Sequence, residues 1–204
     1  MKTKVLIFSA ACSTLSFADL ILKQSIEGPT KGEMTMTVKG DRMKIDMAGQ
    51  ATTIIDNKTK DTVTLMHPQK MLMKMSGAEM KGMMDQAKAA AGAATLKSTG
   101  EKEKVGEYDC EIYDFSSAGT TTKMWIAKDY PGFAEIKAEM EKLMAQGDDT
   151  KVIDFPGMVV KNMIDIGGQK MTTTLISAKS ESVDESAFAI PEGYKEMQMP
   201  GTGK

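Results

Sequence analysis

Twenty methionines stand in this chain, and through its first half they recur at every second position. Met34 and Met36 lead to Val38, Met43 and Ile45 to Met47, and Met71, Met73 and Met75 form a third set, with Thr, Lys, Arg and Asp in most of the gaps. Thioether sulfur is soft and selects Cu(I) over harder ions, so Met71, Met73 and Met75, a turn away from His67, could gather copper. The same side chains are unbranched and polarizable, which suits a wall for an apolar ligand or the filling of an irregular core. Other chemistry finds little support. The chain has one histidine, no Gly-x-Ser-x-Gly, no metal-ligand pair at helical spacing and no phosphate-cradling glycine loop, so neither an enzyme nor a cofactor is expected. Cys110 as a nucleophile would need His67 as its base, and it reads instead as a small apolar strand residue. Asp148, Asp149 and Asp154 follow a helix end and read as a solvated turn. Three functions remain open: an apolar-ligand carrier, an envelope protein with a filled core, and a Cu(I)-binding protein.

The elements that position these residues follow from their period. Alternation of two places each methionine set on one face of a half-buried strand. If Gly40-Asp41 is a two-residue turn, Val38 lies opposite Met43, Met36 opposite Ile45 and Met34 opposite Met47. If His67-Pro68-Gln69 is a three-residue loop, Leu65 and Val63 lie opposite Met71 and Met73. Leu20 to Glu27 and Thr52 to Asp56 add strands to this antiparallel meander. At Gly77 the period lengthens to that of a helix, with Met80, Met83, Met84, Ala87 and Ala91 on one stripe. Residues 92 to 104 read as a loop leading into a strand. Strands return at Tyr108 to Phe115 and Thr121 to Ala127, where Trp125 reads as a core anchor with its indole N–H on a backbone acceptor. A second helix follows Asp129-Tyr130-Pro131, with Phe133, Ile136, Met140, Leu143 and Met144 on its apolar side. Met158 to Ile166 and Gln169 to Ala178 form a hairpin about Gly167-Gly168.

The first eighteen residues read as a secretory signal. Lys2 and Lys4 precede an apolar stretch from Val5 to Phe17, and cleavage is expected after Ala18. The alternative takes Ser9-Ala10-Ala11-Cys12 as a lipoprotein site, with Cys12 as the lipid anchor. Residues 19–200 are expected to form a single domain in the periplasm, and residues 201–204 a disordered tail. Nothing after the signal approaches the length of a transmembrane segment. The net charge of −2 carries no basic block, which argues against nucleic acid. With Cys12 removed, Cys110 has no disulfide partner, so stability must come from the core.

Four stretches carry a resemblance: residues 38–47 (Val38 to Met47), 105–113 (Val105 to Tyr113), 124–129 (Met124 to Asp129) and 188–194 (Phe188 to Tyr194). In that order they resemble a family of exported bacterial proteins described as a domain of unknown function. That family is similar in shape to the periplasmic lipoprotein carriers and receptors, the LolA/LolB-like half-barrels. The resemblance implies an α+β fold in which a large curved antiparallel sheet, an unclosed β-barrel, is covered by two amphipathic helices. It also implies a concave face for a lipid acyl chain or a lipidated protein partner. The residues expected to line that face are Met34, Met36, Met43, Ile45, Met47, Leu65, Met71, Met73 and Met75, with Met80, Met83 and Met84 on a helical lid whose joints are Gly77, Gly82 and Gly92.

Overall fold

The structure, a computed structural model, describes residues 19–90, 94–117, 119–145 and 154–197. The signal segment, Cys12, Gly92, the Asp148-Asp149 turn and the tail from Gly201 lie outside the described residues, as does the side chain of Met84. In chain order the elements are β1 (Leu20–Glu27), β2 (Gly32–Lys39), β3 (Arg42–Met47), β4 (Ala51–Asp56), β5 (Thr62–Met66), β6 (Met71–Met75), α1 (Gly77–Ala90), β7 (Thr95–Val105), β8 (Tyr108–Ser117), β9 (Thr120–Ala127), α2 (Phe133–Ala145), β10 (Met158–Ile166), β11 (Gln169–Ser180) and β12 (Lys195–Glu196).

All twelve strands belong to one unclosed sheet, in the order β12-β6-β5-β4-β3-β2-β1-β11-β10-β9-β8-β7. Two antiparallel meanders, β1 to β6 and β7 to β11, are joined where β1 pairs with β11. The parallel pair β12 and β6 finishes one edge. Turn chemistry sets the local register. Gly40 adopts a φ of +55°, and Val38 pairs with Met43, Met36 with Ile45 and Met34 with Met47, as the alternation requires. Gly167 and Gly168 both take positive φ at the tip of the β10–β11 hairpin.

The β5–β6 hairpin departs from the expected register. Its connection is four residues, His67 to Lys70, so Met66 faces Met71 and Leu65 faces Leu72. Lys70 absorbs the extra residue with a φ of +49°. A one-residue slip moves every side chain to the other face. Leu65 therefore stands on the side of the sheet opposite Met71, Met73 and Met75, which corrects its assignment to their wall.

The main core lies on the face carrying Leu20, Leu22 and Val38, here termed inner. These residues cluster with Cys110, Ile112, Trp125, Ala127, Met158 and Val160, and Ile136 of α2 packs into the same cluster, flanked by Phe133 and Met140. Trp125 is the expected anchor, but its indole N–H donates 2.8 Å to Glu103 Oε2 rather than to a backbone carbonyl, and Lys161 Nζ sits 4.2 Å from its ring centre. Cys110 is buried, and desolvation raises its thiol pKa, so it is a packed core residue and a poor nucleophile.

The outer face of β2 to β6 carries a smaller core beneath the C-terminal segment, residues 181–197. Asp19 Oδ2 accepts from the Val183 amide, Lys39 Nζ donates to Val183 O and Lys44 Nζ to Ala187 O. A short 3-10 helix, Glu185–Phe188, then places Phe188 under the Arg42 guanidinium, 4.7 Å from its ring centre. Leu65 and Leu72, 2% and 7% exposed, are buried on this outer face. The segment ends by pairing with β6 through Lys195 N to Lys70 O and Met197 N to Leu72 O.

Residues 95–104, expected as loop, form most of the edge strand β7. Its side chains are nearly all exposed, so no apolar alternation marks it. Lys97, Lys102 and Lys104, with a register break between Ser98 and Lys102 at Gly100, equip it as a protected edge.

Candidate functional site

The strand pairings arrange the inner face of β1 to β6 in three rows that run across the strands. The first row is Gln24, Met34, Met47, Ala51, Met66 and Met71. The second is Leu22, Met36, Ile45, Thr53, Thr64 and Met73, and the third Leu20, Val38, Met43, Ile55, Thr62 and Met75. Directly opposed side chains on neighbouring strands are about 4.5–5.5 Å apart at Cβ, so each row is a continuous contact line.

Burial changes across these rows. Leu20, Val38 and Met75 in the third row are buried, and Met36 and Met43 pack against the core cluster. In the first row Met34, Met66 and Met71 are only half-buried, and Met47 is 39% exposed. The apolar wall is thus closed at the end where α2 packs and open toward the turns that follow β3 and β5. Thr53 and Thr64 hydroxyls lie 3.3 Å apart in the middle of the second row, and the buried Thr62 hydroxyl beside them has no hydrogen-bond partner. The wall therefore consists of a β2–β3 band and a β6 band of apolar residues, separated by a lane of threonines.

Eight of the expected lining residues, Met34, Met36, Met43, Ile45, Met47, Met71, Met73 and Met75, share this face. Leu65 does not. Met66, Ile55 and Ala51 belong to the wall and were not expected there. Met66 follows from counting the alternation through a four-residue turn, and Ile55 from extending the row across β4.

α1 begins with a capping box. The Ser76 amide and hydroxyl both donate to Glu79 Oε2, at 2.8 and 2.7 Å, and the Glu79 amide points back at Ser76 Oγ. These bonds hold the Glu79 carboxyl below its ordinary pKa. The signature Ser76-Gly77-Ala78-Glu79 was legible in the sequence. Gly77 serves close approach and not flexibility, because a Cβ there would lie 2.0 Å from Thr59 O, and its amide donates to Asp61 Oδ1. Farther along, Met80 is half-buried and Met83 is 57% exposed.

His67 is committed to the outer face, which separates it from Met71, Met73 and Met75. Thr52 donates to Asp46 Oδ2 at 2.9 Å, and His67 Nε2 lies 2.9 Å from the same hydroxyl. With the Thr52 proton spent on Asp46, Nε2 must donate, and Nδ1 accepts from the Tyr194 hydroxyl. The chain's histidine thereby latches the C-terminal segment to the β5–β6 turn. Among the described residues no group of three or more His, Cys, Asp and Glu side chains is placed to hold a metal ion.

A second concavity, about 490 Å³, opens beside β7 to β9 and is lined by Lys102, Lys104, Lys128, Glu103, Asp109 and Glu111 among others. With Asp129 the lining holds four carboxylates against three lysines. Glu111, salt-bridged to Lys128 at 2.6 Å and bonded by Ser98, has its pKa pulled down to about 2 by these partners. Among the described residues no helix is long and apolar enough to cross a membrane.

Comparison with known proteins gives a family. A model of the family described as a domain of unknown function, DUF4412, matches residues 19–194, and the chain belongs to that family. No curated protein matches the chain. Among solved structures it is similar to PNGF-II at 12% identity and a TM-score of 0.44, covering 88% of this chain. This chain spans 31% of that protein's length. It is also similar to the Mycobacterium tuberculosis lipoprotein LppX (8% identity, TM-score 0.41, 83% of this chain and 90% of that one). A LolA superfamily protein from Nitrosomonas europaea matches with 8% identity and a TM-score of 0.36, over 86% of this chain and 92% of that one.

Proposed function

For this member of the DUF4412 family we propose a non-enzymatic role outside the cytoplasm: holding an apolar ligand, a lipid acyl chain or the acyl group of a lipidated protein, on the inner face of β1 to β6. One observation carries the reading. Three contiguous rows of mostly apolar side chains remain half-exposed at one end, while the packed core of the same sheet lies at the other. A filled-core envelope protein would bury these rows, and soluble domains seldom leave contiguous apolar surface open without use.

The driving force is burial. Each methylene taken from water gains about 0.8 kcal/mol, so roughly ten would gain about 8 kcal/mol before association costs. Those costs are of similar size, so a single short chain binds weakly and a longer or doubled chain is favoured. The threonine lane offers hydroxyls where an ester or amide linkage of such a ligand would otherwise go unpaired. α1, pinned at Ser76 and Gly77, is the element able to swing over the open end, with Met80 and Met83 as its contribution.

Native mass spectrometry of the exported protein, isolated without detergent, tests this directly. A lipid-sized adduct that disappears on organic extraction, and is lost in a folded Met36→Asp/Met73→Asp variant, is the expected result. A bare polypeptide mass together with unchanged retention of added fatty acid by that variant would overturn it.

A further inference from the structure

The first row of the inner face differs from the other two in a way that bears on soft metals. It holds four thioethers, Met34, Met47, Met66 and Met71, as two cross-strand pairs on either side of Ala51. Met34 opposes Met47 directly, and Met66 opposes Met71. In the second row Met36 and Met73 are separated by three strands, and in the third Met43 and Met75 by two. Only the first row brings methionine sulfurs onto adjacent strands.

The alanine matters as much as the methionines. Met47 and Met66 stand two strand spacings apart, about 9.6 Å, and the residue between them carries only a methyl group. Two flexible thioethers leaning over that methyl from opposite sides can meet on one ion. The inward curl of the sheet brings their ends closer than their α-carbons. Met34 and Met71 stand one strand farther out on either side, beyond bonding reach of that ion. The row is half-open to solvent, with Met47 the most exposed of the four, so an ion can enter without unfolding anything. No carboxylate or imidazole belongs to the row, and Gln24 at its end is neutral. Such a donor set discriminates against hard and borderline divalent ions.

The geometry points to a two-coordinate binding site for a soft monovalent ion, Cu(I) with Ag(I) as its non-redox stand-in, between Met47 and Met66 over Ala51. This site is distinct from a copper site at Met71, Met73 and Met75 with His67. Those three methionines are stacked along one strand rather than opposed, and the imidazole nitrogens are engaged on the other face. It also stands independently of whether an acyl chain occupies the same wall.

The test is an Ag(I) titration of the mature chain carrying methyl-labelled methionine, followed through the methionine ε-methyl resonances, with a competing chelator for affinity. One equivalent should shift the Met47 and Met66 methyls together and ahead of the other methionines. A Met47→Leu/Met66→Leu variant should lose affinity by about tenfold or more, the ordinary scale of damage to a metal site. A Met36→Leu/Met75→Leu variant should bind as the parent does. Both variants replace two methionines of the same wall by leucine, so loss of Ag(I) affinity in the first alone separates this site from the acyl-binding reading. Failure of the Met47 and Met66 methyls to saturate, or equal loss of affinity in both variants, would overturn the proposal.

Discussion

Leu72 and Met73 are neighbours in sequence and stand on opposite faces of β6, so substituting each with alanine measures the two faces against one another. Leu72 is 7% exposed in the outer core beneath the C-terminal segment. Truncating a buried leucine costs about 2–5 kcal/mol, the transfer term plus the cavity left behind. Met73 is half-buried in the open wall, where water already reaches it and can fill the space that truncation leaves, so Met73→Ala should cost about 1 kcal/mol. For a chain of this size each kcal/mol moves Tm by about 2–4 °C, which gives Leu72→Ala a drop of about 6–12 °C for a mid-range 3 kcal/mol. Met73→Ala should lower Tm by only a few degrees. Urea unfolding followed by Trp125 fluorescence reads both, since that indole is buried in the main core. If Met73→Ala proves as costly as Leu72→Ala, the inner face is a filled core and the proposed binding wall does not exist.

Further outcomes follow from the same contacts. Tyr194→Phe removes the hydroxyl that donates to His67, so amide exchange at Lys195 and Met197 should accelerate while the Trp125-monitored Tm stays nearly constant. Glu111 has its folded pKa depressed from 4.5 to about 2, so its bridge to Lys128 stabilises the fold above the ordinary carboxylate range and fades as pH falls toward 2. The stability difference between the parent and Glu111→Gln, measured by urea unfolding, should accordingly shrink between pH 5 and pH 2. Gly77→Ala places a methyl against Thr59 O and should destabilise the start of α1, visible as reduced helical circular dichroism and a lower Tm.

The apolar alternation and the Gly40 and Gly167-Gly168 turns were enough to place β2, β3, β10 and β11, because apolar and polar side chains fall largely on opposite faces there and each turn needs glycine's backbone. β7 escaped detection because a mostly polar, mostly exposed edge strand has no period to read; besides the backbone ladder, Ser98 donates to Glu111 and Thr99 to Ile112 O. The slip at Leu65 arose from the β5–β6 turn, where Lys70 takes a left-handed conformation that no glycine or asparagine announces. Alternation on both sides of that turn was correct, and only its length was misjudged. The outer core was hidden for a different reason. Phe188 and Leu65 are far apart in the chain, and nothing local says that an irregular segment will lie across β2 to β6. Of the candidate wall, the β2, β3 and β6 residues read from period share one face and Leu65 does not, whereas Met66 and Ala51, which complete its first row, required the register.

The pairing of β1 with β11 has a consequence for when this protein can fold. Leu20 pairs with Ser180, so the two meanders join only when strands far apart in the chain meet. Such a distant pairing forms slowly because loop closure precedes any reward. In a chain emerging from its N-terminus, β1 lacks one neighbour until residues 169–180 arrive. The topology thus delays completion of the sheet. It also leaves a half-made, strand-rich intermediate in need of protection from its own kind.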